Sequence, residues 1–310
     1  MTGMPKKALV LAAGLGIRLR PLTFERPKPL MPLWNVPLLE HVLRMLESWG
    51  VEELAVNMHW QSDKIRDYVT SREGLARVRF SYEAEILGTG GALRPLADFL
   101  GSEPFWVMNA DIAAALNPQP LVNTFLSGNS LAAAWLEPKK GPRTVEADRR
   151  GRITCYRSPT PGVPGTFTFC GLQIVSPRIF KFLPERSFCT LVEAYEQAMA
   201  QSVFVEGVAV PDSYWDDAGT VEAYRHIHAD VKRLAKAGKT GGMLYDAHVD
   251  LCGRDDAHFF CIGSEATVAP NVKGQDSIVC GVAQVAEGSV LRDAVVAGGC
   301  IGGLLKNVTC

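Results

Sequence analysis

Residues 8–16 read Ala8-Leu9-Val10-Leu11-Ala12-Ala13-Gly14-Leu15-Gly16, and this stretch decides the fold class. Consecutive small and apolar residues without alternation suit a parallel strand, Ala8 to Ala13, buried on both faces; the Gly-x-Gly that follows ends it in a turn. Downstream, Pro37 opens a predicted helix whose Leu38, Leu39, Val42, Leu43 and Leu46 follow helical spacing, with Gly50 as its stop. Glu53 to Val56 predict a second strand and Ser62 to Thr70 a second helix. Phe80 to Tyr82 predict a third strand, and Gly90-Gly91 lead into a helix ending near Gly101. Phe105 to Met108 predict a fourth strand, terminated by Asn109-Ala110-Asp111. Short apolar strands alternating with helices imply an open α/β sheet, and ligands of such sheets sit at the carboxyl ends of the strands. Gly14 and Asp111 both fall at such ends.

The texture changes late in the chain. Val221 to Leu234 predict a closing helix, and a linker is expected over 237–250. From 251 to 310 apolar residues recur at steps of six: Ile262 and Val268, then Val279, Val285 and Leu291, then Val290 and Val296. Six-residue spacing with interspersed glycine is the pattern of hexapeptide β-helix repeats, here fewer than three coils at about 18 residues each. The organisation read from the sequence is therefore a domain over 1–236, the linker, and a β-helix over 251–310.

Composition excludes several classes. At 47% hydrophobic and 21% charged residues, the chain is not of the disordered class. A formal charge of −1 argues against coating nucleic acid or an anionic membrane. No apolar run approaches the roughly 20 residues of a spanning helix, and Lys6-Lys7 before a short apolar run do not make a signal peptide. The eight cysteines are scattered without a Cys-x-x-Cys, as expected of thiols in the reducing cytoplasm. The distribution of charge says more than its total. Residues 1–30 hold six basic groups (Lys6, Lys7, Arg18, Arg20, Arg26, Lys28) against Glu25, leaving 26 basic and 32 acidic groups elsewhere. A cationic segment precedes an acidic body.

Two familiar phosphate motifs fail on inspection. A dinucleotide fingerprint starting at Gly14 needs a third glycine where Leu19 stands, and a P-loop ending in Gly238-Lys239-Thr240 needs a glycine where Arg233 stands. What remains is Gly14-Leu15-Gly16-Ile17-Arg18, Arg20-Pro21 and Arg26-Pro27-Lys28-Pro29-Leu30. Glycine backbone can approach phosphate closely, an arginine fork and a lysine point charge can neutralise it, and the prolines restrict the loop beforehand. The chemistry indicated is a small anion site.

The run Leu11-Ala12-Ala13-Gly14-Leu15-Gly16-Ile17-Arg18-Leu19-Arg20-Pro21-Leu22-Thr23, with Arg26-Pro27-Lys28-Pro29-Leu30-Met31-Pro32, closely resembles the signature loop of sugar-1-phosphate nucleotidylyltransferases. The resemblance continues at Glu85-Ile86-Leu87-Gly88-Thr89-Gly90-Gly91-Ala92-Leu93, at Asn109-Ala110-Asp111 and at Tyr214-Trp215-Asp216-Asp217-Ala218-Gly219-Thr220, in the family's order. It implies a Rossmann-like mixed sheet followed by a short left-handed parallel β-helix. It also implies Mg²⁺-assisted transfer of a nucleotidyl group from an NTP to a sugar 1-phosphate, with release of pyrophosphate. On this resemblance Asp111 and Asp217 hold the metal, Arg18 neutralises the β,γ-phosphates and Lys28 the α-phosphate. Leu11, Ala12, Ala13, Gly14, Gly16, Glu85, Gly88, Thr89 and Asn109 serve the nucleotide. Gly90 and Gly171 border the sugar phosphate, with Gly90-Gly91 leaving room for ligand and offering free N–H donors.

One motif departs from the family. Where relatives carry Glu-Lys-Pro after a strand like Arg152 to Tyr156, this chain reads Arg157-Ser158-Pro159. Arg157 is the candidate replacement cation and Glu193 the candidate replacement carboxylate. Within the resemblance, Leu87 to Ala92 are most similar to members using GTP with mannose- or heptose-type acceptors. Transfer of CMP to a phosphorylated alcohol and a non-catalytic homologue that binds nucleotide sugar are the alternatives. The tail is read as a means of homo-oligomerisation or regulation, ahead of an acyltransferase platform. His226 and His228 are expected to be solvated.

Overall fold

In the structure, a computed structural model that describes residues 3–74, 77–210, 212–236 and 258–310, the opening stretch forms strand β1, Lys7–Leu11. Ala8, Leu9 and Val10 have no solvent exposure. The reason is the pairing: β1 lies between Glu53–Met58 (β2) and Phe105–Asn109 (β4), parallel to both. Arg77–Tyr82 (β3) extends the sheet beyond β2, also in parallel. The sheet then turns mixed. Thr166–Val175 (β8) runs antiparallel to β4 and to Ala132–Glu137 (β5), and Val205–Val208 (β9) closes that edge parallel to β5. The first residues of β8 pair instead with Val145–Ala147 (β6), which carries Ile153–Cys155 (β7).

Element types follow the sequence pattern, and bounds shift where local chemistry decides them. The first strand stops at Leu11, so Ala12 and Ala13 belong to the loop. The expected helix from Gly90 to Gly101 is three short pieces, Gly88–Gly91, Arg94–Leu96 and Ala97–Leu100. Pro95 lacks an N–H and cannot donate back along the helix, which interrupts the hydrogen-bond run at this point.

Contacts divide the chain into two compact units, one of residues 1–14 and 42–216, the other of residues 15–41 and 217–310. The first holds the sheet. In the second, helix Val221–Lys236 precedes a three-sided parallel coil. Its sides are Phe260–Ile262, Ser277–Val279 and Val295–Val296; Thr267–Val268, Gln284–Val285 and Cys300–Ile301; and Lys273–Gln275, Val290–Arg292 and Leu304–Lys306. Phe260 pairs with Ser277, Thr267 with Gln284 and Lys273 with Val290, 17 residues on, while the next circuit, from Gln284 to Cys300 and from Val290 to Leu304, shortens to 16 and 14, and three strands stack on every side. The tail thus completes more turns than 18-residue coils would give. Phe260, Val279, Val285, Leu291 and Val296 fill its interior. The expected linker over 237–250 lies outside the described residues. No helix among the described residues is long and apolar enough to cross a membrane.

The hairpin of Pro32–Leu33 and Val36–Pro37 is fixed against the closing helix in the second unit. Trp34 donates its indole N–H to the His228 carbonyl at 2.9 Å and its backbone N–H to Nε2 of His228 at 3.3 Å. Nδ1 of His228 then donates to the Tyr224 carbonyl at 2.9 Å. His228 is fully buried, contrary to the solvated position expected for it; His226, two residues away, is the exposed one. Burial pushes the His228 imidazole down to about 4, and His41 nearby acts in the same direction. An unfolded histidine titrates at about 6.5, so between about pH 6.5 and 4 only the unfolded chain takes up this proton. The stabilising contribution of neutral His228 is complete above about pH 6.5 and is lost as pH falls towards 4, on the order of 3 kcal/mol in all. Denaturant midpoints of wild type and His228→Gln at pH 7.5 and 4.5 check this, with a smaller acid loss expected in the variant.

Candidate functional site

The loop leaving β1 is anchored by polar groups within the first unit. The Ala12 N–H donates to Oδ1 of Asn57 at 2.8 Å, and Nδ2 of Asn57 donates to Oε1 of Glu83 at 2.7 Å. Oε2 of Glu83 accepts the Leu87 N–H at 2.9 Å. Asn57 and Glu83 are 3% and 2% exposed, so these bonds form away from water and each unmade one is costly. Two segments expected at the nucleotide, 11–14 and 85–89, are therefore tied to one side-chain chain. Asn57 and Glu83 were absent from the sequence reading. Their signal was there: an amide inside the apolar run Leu54 to Met58, and a carboxylate directly after β3.

The remainder of the loop belongs to the second unit and makes a tight cationic turn. Gly16 has φ 62°, and a Cβ there would sit 2.9 Å from Cγ2 of Thr23 and 3.2 Å from Cβ of Lys28. Thr23 Oγ1 donates to the Gly16 carbonyl at 2.8 Å. Gly16 thus allows the loop to fold back on Lys28. Lys28 stands between Pro27 and Pro29 in a 3₁₀ turn, with its side chain 9% exposed. Its Nζ lies 3.2 Å from Oδ1 of Asp217, while a guanidinium nitrogen of Arg18 lies 3.8 Å from Oδ2 of the same carboxylate. A Cβ at Gly219 would come within 2.8 Å of both Arg18 and Asp217, so a side chain there would displace the guanidinium from this position. Arg18 is 69% exposed and reaches outward. The structure brings together three expected residues, Arg18, Lys28 and Asp217.

Gly14 differs from Gly16. A Cβ at Gly14 would meet no described atom within 4 Å, so packing gives no reason for glycine there. Adjacent carboxylates also part company: Asp216 pairs with Lys140 at 3.3 Å, and Lys140 lies over the Tyr214 ring at 5.1 Å. Asp111, partly exposed, stands in the turn between β4 and Ile112–Ala115. Carboxylate oxygens of Asp111 and Asp217 are hard donors of the kind Mg²⁺ prefers.

Other expected site residues in the first unit have different surroundings. Gly171, at φ 76° in the irregularity of β8, would place a Cβ 2.7 Å from Nδ2 of Asn109, which brings those two residues together. Glu85 is exposed, and Thr89 Oγ1 accepts the Leu191 N–H at 2.9 Å. The expectation of free N–H donors at Gly90 and Gly91 is corrected: both donate to the Cys189 carbonyl, at 2.9 and 3.0 Å. Cβ atoms at Gly88, Gly90 and Gly91 would meet the main chain of residues 187–190 at 2.4 to 2.8 Å. These glycines serve close packing of two chain segments. Glu193 is committed elsewhere too. Oε2 closes a capping box with Thr190 at the start of Leu191–Ala200, and Oε1 pairs with Arg186. Hydrogen bonds from the Thr190 backbone and hydroxyl lower the Glu193 pKa. Arg157 points to Glu196 at 3.7 Å with its side chain 66% exposed.

With this geometry in hand, comparison with known proteins is informative. The family model described as nucleotidyl transferase matches residues 7–233. An N-acetylmuramate alpha-1-phosphate uridylyltransferase of Caulobacter vibrioides is 31% identical over 76% of this chain and 100% of its own length. Mannose-1-phosphate guanylyltransferase 1 of Arabidopsis thaliana is 27% identical over 70% of this chain, and the match spans 62% of that relative. Among solved structures, the inositol-1-phosphate CTP transferase from T. maritima superposes with a TM-score of 0.63 at 17% identity, over 75% of this chain and 98% of that one; the likeness shows the fold.

Asn57→Ala leaves the Glu83 carboxylate and the Ala12 N–H without their buried partner. A loss of about 2–4 kcal/mol in unfolding free energy is expected from denaturant titration.

Proposed function

The chain belongs to the nucleotidyl transferase family, and on that footing we propose that it transfers a nucleotidyl group from an NTP to a sugar 1-phosphate, releasing pyrophosphate. The observation that carries this reading is the Arg18–Asp217–Lys28 cluster on a loop stiffened by prolines. Two cations converging on one half-exposed carboxylate suit a polyphosphate, which could take that carboxylate's place. Gly14 supports it, since no described atom lies within 4 Å of where its Cβ would be.

In the proposed reaction an acceptor phosphate oxygen attacks the α-phosphorus in line, the bond to the bridging β-phosphate oxygen breaks, and pyrophosphate leaves. Lys28 directs its ammonium at the α-phosphate oxygens as their charge develops, and burial among prolines means little reorganisation at that moment. Arg18, on a long exposed arm, forks onto the β,γ-phosphates and draws charge towards the leaving group. The backbone of residues 11–14 holds the nucleoside, its position fixed through Asn57 and Glu83. Asp111 and Asp217 would hold Mg²⁺, which when bound supplies neutralisation of the triphosphate and orientation of the leaving group.

Our first substrate assignment is GMP transfer to a mannose-type 1-phosphate. Its support is the likeness of Leu87 to Ala92 to such members and the naming of several relatives as mannose-1-phosphate guanylyltransferases. A second assignment, UMP transfer to an N-acetylmuramate-type 1-phosphate, draws on the Caulobacter relative matched along its whole length. The missing Glu-Lys-Pro motif, together with the engagement of Arg157 and Glu193 by other residues, is why the acceptor must be assigned by experiment. A cytoplasmic homo-oligomer joined through the β-helix completes the proposal.

A pyrophosphate-release matrix of NTPs against hexose 1-phosphates tests the reading: one pair should turn over with Mg²⁺ and stop on chelation. Nucleotide-sugar binding without turnover in any pair would favour a regulatory homologue instead. In the active pair, Asp111→Asn and Lys28→Met should each lower kcat by about a hundredfold or more with the thermal midpoint retained. Wild-type rates in either variant would remove that residue from the reaction.

A further inference from the structure

We propose that the first coil of the β-helix positions the phosphate-binding loop, with Glu265 acting as a positioning residue through Arg26. The inference rests on the nucleotidyl-transfer reading for its catalytic readout. It starts from a division of labour among the cations of the loop. Arg20 stacks over Phe24 at 5.1 Å, and Arg26 donates to Oε2 of Glu265 at 2.5 Å, whereas Arg18 and Lys28 converge on Asp217. Arg26 therefore ties the loop to the turn that follows Phe260–Ile262. A second tie lies nine residues on, where Nδ2 of Asn35 donates to the Ile262 carbonyl at 3.0 Å. The Arg26 and Glu265 charges even meet at one buried group. Burial pushes the Cys280 thiol up to about 12, with Arg26 opposing and Glu265 reinforcing the rise.

Transmission to the reacting end is short and stiff. Only Pro27, at φ −64°, separates Arg26 from Lys28, and the Leu30 and Met31 N–H groups bond back to Pro27 and Lys28. Displacing Arg26 moves the base of Lys28. Global stability is a weaker consequence, because the Glu265 side chain is 54% exposed and pairs of that kind contribute little to folding. An oligomerisation tail would be dispensable for turnover; these contacts make the first coil part of the phosphate grip.

The test uses the full chain. In Glu265→Gln, kcat/KM for the NTP should fall about fivefold, with the acceptor KM and the thermal midpoint close to wild type. The exchange Arg26→Glu with Glu265→Arg should recover most of the loss. Glu287→Gln, an exposed carboxylate elsewhere on the β-helix, should behave as wild type. Affinity for inorganic tripolyphosphate, measured by calorimetry on the same proteins, should show the same order without any turnover. Glu265→Gln matching wild type in both assays would overturn the positioning role. Wild type inactive with every NTP, yet binding tripolyphosphate more tightly than Glu265→Gln, would sustain positioning while removing the transfer reading.

Discussion

A lysine held almost out of water requires a compensating charge, and in this chain Asp217 provides it for Lys28. Much of the second unit can be understood as the means of keeping that pair in place. Gly16 allows the loop to double back, Pro27 and Pro29 limit how Lys28 can move, and Gly219 lets Arg18 approach the other carboxylate oxygen. The pairing is also provisional by nature. A triphosphate offers the ammonium a stronger anion than a half-exposed aspartate, and a divalent cation offers the aspartate a stronger partner than the ammonium. On the proposed reading this ion pair would exchange both partners when substrate and metal bind, and at rest it leaves neither charge uncompensated.

The two units cut across chain order. The cationic segment 15–41 makes its contacts with residues 217–310, although the sequence places it directly after the first strand of the sheet. Composition reports where the texture of the chain changes; it does not report which distant segment a loop packs on. His228 shows the same limit. On the helical wheel its neighbour His226 is equivalent in kind, yet the arrival of Trp34 makes one of them a fully buried acceptor and leaves the other at the surface.

Legibility in the sequence tracked the range of the interaction responsible. The strand Lys7–Leu11, the glycine turn after it and the coil repeat were readable because each is set by local pattern. Arg18 and Lys28 were readable as anion-binding cations from their Gly- and Pro-rich loop and Asp217 through the resemblance, and the fold places the three together. Asn57 and Glu83 were missed because one polar residue in an apolar strand looks like a tolerated exception until its partner, 26 residues away, is in view. Gly90 and Gly91 were misread for a related reason. Sequence shows that a glycine lacks a side chain, and only the fold shows whether ligand or the Cys189 carbonyl occupies the space.

We propose that Lys28 rests on Asp217 and exchanges that carboxylate for a phosphate when the NTP binds. Metal-free affinity for the NTP, measured across wild type, Lys28→Met, Asp217→Asn and the double variant, tests it directly. Lys28→Met should weaken binding about tenfold or more, Asp217→Asn should leave it unchanged or tighter because a competing anion is gone, and the double variant should match Lys28→Met. Equal weakening by Asp217→Asn and Lys28→Met, or indifference to Lys28→Met, would contradict it.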